Sequence, residues 1–209
     1  YRRQRQMCIR DSTLGAQLGS IVSRINPDVL FVGEANSDDV KSACPDGYNW
    51  VGGTLKGKSE DIRVSAIIRE NVPYKTFKIN TMVPAVGLKI GDWKIIGIHR
   101  EWALQGDKTT KTREQQIERL TDFVNYWLTI RCKCIVQGDF NFDPDPKSEY
   151  QRSLEPVRTC INDVLIPEGW TQIIRGNTRH EAGQEPATLD HIYCNAVNRT
   201  TRTWNQSLS

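Results

Sequence analysis

The sequence predicts a two-sheet layered α/β fold, and three observations predict it. Strand candidates crowd between Tyr48 and His99, punctuated by Gly52-Gly53, Pro73 and Gly91-Asp92, as the strands of a β-meander are. Helical patterns lie on either side of that crowd, so helices flank the strands. The chain has 209 residues and is 38% hydrophobic, which supports one sizeable core at the upper end of a single domain.

Leu14, Leu18, Ile21, Val22 and Ile25 recur at helical spacing, so the first helix spans 13–25. Asn26-Pro27-Asp28 stops it. Val29-Leu-Phe-Val32 is a central strand ending at Gly33-Glu34. Residues 37–47 are polar, with a turn at Pro45-Asp46-Gly47. Strands follow at 48–51, 64–69, 74–81, 86–90 and 93–99, the last two forming a hairpin over Gly91-Asp92. Residues 55–62 read as an exposed charged loop. Ile117, Leu120, Val124, Trp127 and Leu128 set the apolar stripe of a helix over 113–130. A buried strand, Cys134-Ile-Val136, comes next. A helix over 148–165, started or kinked by Pro156, and strands at 170–174 and 189–194 complete the chain.

Charge argues against bulk nucleic-acid binding. The chain carries 28 basic and 25 acidic residues. Four arginines and one aspartate fall in the first twelve positions, which leaves 24 of each sign on the rest. Any nucleic-acid contact must come from local patches. Within the first twelve residues, Met7-Cys-Ile-Arg-Asp-Ser12, preceded by Arg-Gln repeats, resembles the translation of a transposase mosaic-end adapter. Residues 1–12 are therefore read as an adapter-derived or disordered segment and 13–209 as one domain. No run approaches the ~18 apolar residues of a membrane span. The six scattered cysteines include no Cys-x-x-Cys pair and fit a reducing, intracellular protein.

Chemistry concentrates at strand ends. Asp139 and Asn141 follow Gly138 and share a face, since a strand has a period of two. A carboxylate beside a carboxamide suits a hard cation with a phosphate next to it; the same residues read equally as a polar turn after a core strand. Asp143 and Asp145 read as solvated turn. Glu34 ends a buried strand, and Asp190 lies within the apolar run Leu189-Asp-His-Ile192. His191 neighbours Asp190 but points to the opposite face, which favours a structural role. His180 lies on a loop.

Taken in order, Asp28-Val-Leu-Phe-Val-Gly-Glu34, Gly138-Asp-Phe-Asn141 and Leu189-Asp-His-Ile192 resemble the endonuclease/exonuclease/phosphatase superfamily. Gly97-Ile-His-Arg-Glu-Trp102, followed by Glu114-Gln-Gln-Ile-Glu-Arg-Leu120, is most similar to endonuclease domains of non-LTR retrotransposons. The resemblance covers about residues 13–209. It implies a four-layered sandwich of two mixed β-sheets flanked by helices, and hydrolysis of DNA phosphodiesters with Mg²⁺, or Mn²⁺ in its place. It also implies a downstream reverse transcriptase, no membrane, and a nuclear site of action. By this resemblance Glu34 holds the metal, Asp139 activates water, and Asn141 donates to a phosphate oxygen. Asp190 orients a catalytic histidine, and Thr178 lies near the phosphate. Arg100 contacts the DNA backbone or is a solvated surface arginine. His99 stands where relatives have a tyrosine; it contacts phosphate or is a half-buried strand residue. A phosphomonoesterase or phosphoinositide phosphatase of the same fold, and an inactive nucleic-acid-binding fragment, are the rival readings. Relatives place an asparagine-bearing strand before the first helix and a Ser-Asp-His motif after the last hairpin. Without those two parts the chain is expected to be weak or inactive as it stands.

Overall fold

The computed structural model describes the backbone of residues 2–56, 62–100, 110–144, 155–174, 176–178 and 186–196, with side chains from residue 13 except 110–113, 160 and 164. Most of the 55–62 loop, Glu101 and Trp102, Asp145, His180 and Ser207-Leu-Ser209 lie outside the described residues.

Four layers result. Helix α1 (Arg2–Ile25) and helix α2 (Ser37–Ser42) cover one face of a three-stranded antiparallel sheet. That sheet runs β1 (Val29–Gly33), β3 (Val64–Arg69), β2 (Tyr48–Gly52). Leu18, Val32, Val40 and Ile67 fill the space beneath the helices. The opposite face of β3 presents Val64, Ala66 and Ile68 to Val86 and Leu88 of the second sheet. The period of two thus sends alternate residues of β3 into two different cores. The second sheet has six strands: β4 (Lys75–Phe77), β5 (Ala85–Ile90), β6 (Trp93–His99), β7 (Cys134–Asp139), β9 (Asp190–Cys194) and β8 (Thr171–Gln172). Its far face carries helix α3 (Thr110–Leu128) and helix α4 (Glu155–Cys160). Leu120, Phe123, Val124 and Trp127 pack there on Ile96, Ile98, Val136 and Tyr193.

The pairing of β6 with β7 is parallel, and every other pairing among the described strands is antiparallel. The second sheet is therefore mixed and the first is purely antiparallel. The crossover from β6 to β7 runs through α3, which a parallel neighbour requires. Gly97 lets the two sheets approach: a Cβ there would sit 2.1 Å from Phe31 Cδ1 of β1. This contact presses the end of β1 against β6.

Several local readings need correction. The first helix begins at Arg2 rather than near residue 13, and Ile25, placed in its apolar stripe, is 46% exposed. The polar stretch after Glu34 contains α2, started by Asn36, whose side chain accepts from Asp38 N. An asparagine cap followed by Asp38 and Asp39 is the signal that marks it. The strand read over 74–81 pairs only at Lys75–Phe77, after which Ile79 turns into the helix-side core. The strand at 170–174 keeps two ladder residues. Pro156 sits in the first turn of α4, which continues as a π-helical turn, Ile161–Leu165. Pro at that position loses no helical hydrogen bond.

His191 is fully buried and structural. Its Nε2 donates to the Phe142 carbonyl at 3.0 Å, and its Nδ1 accepts from Gln172 Nε2 at 2.7 Å. A carbonyl only accepts, so the Nε2–H tautomer is fixed. The ring stacks on Phe142 at 4.6 Å. Burial pulls its pKa down to about 4, against the backbone carbonyls that favour the protonated form. The folded protein therefore binds this proton less well than the unfolded chain. The contribution to stability is full above the ordinary value of 6.5 and is lost as pH falls toward 4. Urea unfolding at pH 7.5 and pH 4 should show the wild type losing about 3 kcal/mol more than His191→Asn, which has no proton to bind.

Candidate functional site

Four strands deliver the site. Strand β1 ends at Gly33 and Glu34 follows it, exposed, with φ +62°. Strand β6 ends at His99, and β7 ends at Asp139, directly beside it in the parallel register. Strand β9 begins at Asp190, opposite Asp139. Ligand-capable atoms of Glu34, His99 and Asp139 all lie within 4.8 Å of one another. The sequence reading singled out Glu34, Asp139 and Asp190 from their strand ends, and the fold brings them together.

Asp139 is held by its own loop. Its Oδ1 accepts from Asn141 N at 2.7 Å, and its Oδ2 lies 3.9 Å from His99 Nε2. Burial pushes the carboxyl up to about 7. The charges of Asp190 and Glu34 push the same way, while the Asn141 N–H and the Arg100 guanidinium oppose them. A carboxyl at that value gives up and takes back a proton near neutrality, as a general base must.

His99 is 4% exposed. Burial, with Arg63 and Arg100 nearby, pulls its pKa down to about 4, so it is a neutral imidazole at pH 7. Its Nδ1 is buried without a hydrogen-bond partner among the described residues. The 3.9 Å gap to Asp139 is too long for a hydrogen bond. Two carboxylates and a neutral imidazole converging on one point form a donor set that fits a divalent cation.

Two residues lie deeper than expected, and two more are engaged by the backbone. Arg100 is 2% exposed and faces inward, so it is not a solvated surface arginine. Its Nε donates to the Phe140 carbonyl, its Nη2 to the Asn141 carbonyl, and its Nη1 to Gln116 Oε1 at 3.3 Å. Arg100 thus clamps the loop that carries Asp139. Asn141 is fully buried with φ +51°, and its NH₂ group donates to the Arg100 carbonyl. One hydrogen of that group thus serves the clamp. Thr178 Oγ1 accepts from Leu189 N and Asp190 N, each at 3.0 Å, which fixes the start of β9. Its oxygen thus positions Asp190. Asp143, read as solvated turn, is 6% exposed because Arg158 of α4 reaches down and donates to its carbonyl at 3.4 Å.

Inward guanidinium groups are not legible in a strand-end pattern, since His99-Arg100 reads the same whichever side faces out. Arg100→Met would strand two buried carbonyls. It should cost about 3 kcal/mol in urea unfolding.

Structural comparison returns proteins of one architecture. The chain aligns with a humanized D. rerio TDP2 at a TM-score of 0.59 and 13% identity, over 91% of this chain and 79% of that one. An endonuclease/exonuclease/phosphatase family protein from Bacteroides thetaiotaomicron aligns at 0.51 and 13%, over 88% and 73%. The endonuclease domain of TRAS1, a telomere-specific non-LTR retrotransposon, aligns at 0.53 and 13%, over 86% and 77%. No protein-family model matches the sequence, and no curated protein does. The fold is the α/β sandwich of the endonuclease/exonuclease/phosphatase proteins. Among the described residues, no helix is long and apolar enough to cross a membrane.

Proposed function

We propose that the chain is the endonuclease part of a non-LTR retrotransposon polyprotein, a metal-dependent phosphodiesterase that nicks target DNA in the nucleus ahead of a reverse transcriptase. The observation that carries this reading is the convergence of Glu34, His99 and Asp139 within 4.8 Å at three strand ends, with Asp190 across the ladder. The ordered motifs around Glu34, Gly138-Asp-Phe-Asn141 and Asp190 support it.

Glu34 carries the cation. A bound Mg²⁺ or Mn²⁺ supplies polarisation of a phosphate oxygen and stabilises charge on the leaving oxygen. Asp139 takes a proton from the attacking water on Oδ2, the oxygen that the Asn141 N–H does not occupy. The water oxygen bonds to phosphorus as the bond from phosphorus to the leaving sugar oxygen breaks. Asp190 keeps the proton affinity of Asp139 high through its charge. Arg100 and Asn141 hold the loop in place, and Thr178 holds Asp190.

The test is conversion of supercoiled plasmid to open circles with Mg²⁺ or Mn²⁺. It uses the 209-residue chain and a version extended at both ends, beside a panel of phosphomonoesters and phosphoinositides. The extended protein should nick DNA, and Glu34→Ala should stop it. No nicking by the extended wild type, full-rate nicking by Glu34→Ala, or turnover of the phosphomonoesters alone would overturn the proposal.

A further inference from the structure

We propose that His99 supplies a nitrogen ligand to the cation carried by Glu34, so that the site prefers a first-row transition-metal dication to Mg²⁺. The inference deepens the hydrolase reading and rests on the same cluster, but it concerns which ion binds and not what is cleaved.

The first argument is geometric. His99 is 4% exposed and makes no side-chain hydrogen bond among the described residues, and its Nδ1 is a buried orphan. Its Nε2 faces Asp139 Oδ2 at 3.9 Å. That separation is too long for a hydrogen bond. It leaves Nε2 open toward the cluster, where a ligand-capable oxygen of Glu34 lies within 4.8 Å of the imidazole. Burying a polar ring without a partner costs free energy. A cation bound at Nε2, the nitrogen that faces the cluster, would give that side of the ring its partner and fix the proton on Nδ1.

The second argument is how firmly the ring is placed. His99 ends β6 in register with Asp139. The alpha carbon of Gly33, the residue before Glu34, lies against it: a Cβ there would be 3.9 Å from His99 Cδ2. The ring therefore sits beside the ends of β1 and β7, the two strands that bring the carboxylates.

The third argument is chemical. Mg²⁺ takes oxygen ligands at about 2.0–2.1 Å and keeps several waters. Imidazole nitrogen favours transition metals, with affinity rising from Mn²⁺ through Fe²⁺ to Co²⁺. A site that offered the Glu34 carboxylate and water in place of His99 would discriminate weakly. One nitrogen donor tips it toward the transition metal.

The probe is Mn²⁺ alone, with no DNA present, so the result is independent of nicking. Free Mn²⁺ is followed by its electron paramagnetic resonance signal, with Mg²⁺ as competitor. Bound Mn²⁺ is examined by electron spin echo modulation for ¹⁴N coupling. Mn²⁺ should bind the wild-type 209-residue chain at least tenfold tighter than Mg²⁺, and the bound ion should show directly coordinated ¹⁴N. His99→Gln should weaken Mn²⁺ at least tenfold, change Mg²⁺ less than twofold, and lose the ¹⁴N signal. No ¹⁴N coupling in the Mn²⁺-loaded wild type, equal affinity for the two ions, or no Mn²⁺ binding would each overturn the proposal. The wild-type coupling decides the matter even if His99→Gln fails to fold. A protein that binds Mn²⁺ through nitrogen yet cleaves no DNA would leave this inference standing and sink only the nuclease reading.

Discussion

Asp139→Asn should lower metal-dependent nicking by the extended protein at least about 10³-fold while leaving the fold intact. Asparagine keeps the oxygen that accepts from Asn141 N, so the loop geometry survives. It loses the proton acceptor and the negative charge. The same substitution should not lower stability at pH 8. In the folded protein the Asp139 carboxyl is pushed up to about 7 by burial and by Asp190 and Glu34, against an ordinary value of 3.8. A carboxyl with a raised folded pKa favours the folded state below its unfolded value. That advantage is lost as pH rises through the folded value. Above pH 7 the wild type therefore holds a buried charge the fold disfavours, and the variant does not. Thermal unfolding at pH 8 and plasmid nicking at the same pH give the paired readout. Activity within tenfold of wild type, or a lower melting temperature together with lost activity, would contradict this account of Asp139.

That split between a stable fold and a costly residue bears on what could be read from the chain. Strands β3 and β6 were legible to their end residues because each is an apolar run with clear punctuation. The hairpin between β5 and β6 was legible because Gly91-Asp92 can only be a tight turn there. Helix α2 was not, because it buries a single apolar residue, Val40, and so leaves no stripe. The Asn36 cap was the available signal, and it is easily read as turn composition. At the site, Glu34 and Asp139 stood out as carboxylates where apolar strands stop, and Asp190 as a carboxylate within an apolar run. Their meeting was not legible, because Glu34 belongs to one sheet and the aspartates to the other. The two meet through packing between layers, such as Phe31 over Gly97 and Ala66 and Ile68 over Val86 and Leu88, which no local pattern announces. The burial of Arg100 and Asn141 was hidden for a related reason: both serve a loop whose shape depends on contacts 41 residues apart in sequence. Local pattern finds where a strand ends, but not what the next layer places above it.

Gly138→Ala should be the most destabilising single methyl added near the site, at about 3 kcal/mol or more. Gly138 has φ +136°, a region that residues with a Cβ rarely adopt. A Cβ there would also lie 2.0 Å from the carbonyl oxygen of Ile98, on the neighbouring parallel strand. Flexible side chains can move aside, but a ladder carbonyl cannot without breaking the β6–β7 pairing. Gly91→Ala is the control. Gly91 also has positive φ, at +55°, but a Cβ there meets nothing within 4 Å. It should cost only about 1 kcal/mol, the conformational part alone. The difference between the two variants in urea unfolding then isolates the steric cost at Gly138. Asp139 follows Gly138 directly, so any relief of that clash displaces the carboxylate from His99 and Glu34. Gly138→Ala that still folds should therefore lose Mn²⁺ binding, whereas Gly91→Ala should keep it. If the two alanine variants unfold at the same urea concentration, the close approach of β7 to β6 at Gly138 does not constrain this site as the geometry requires.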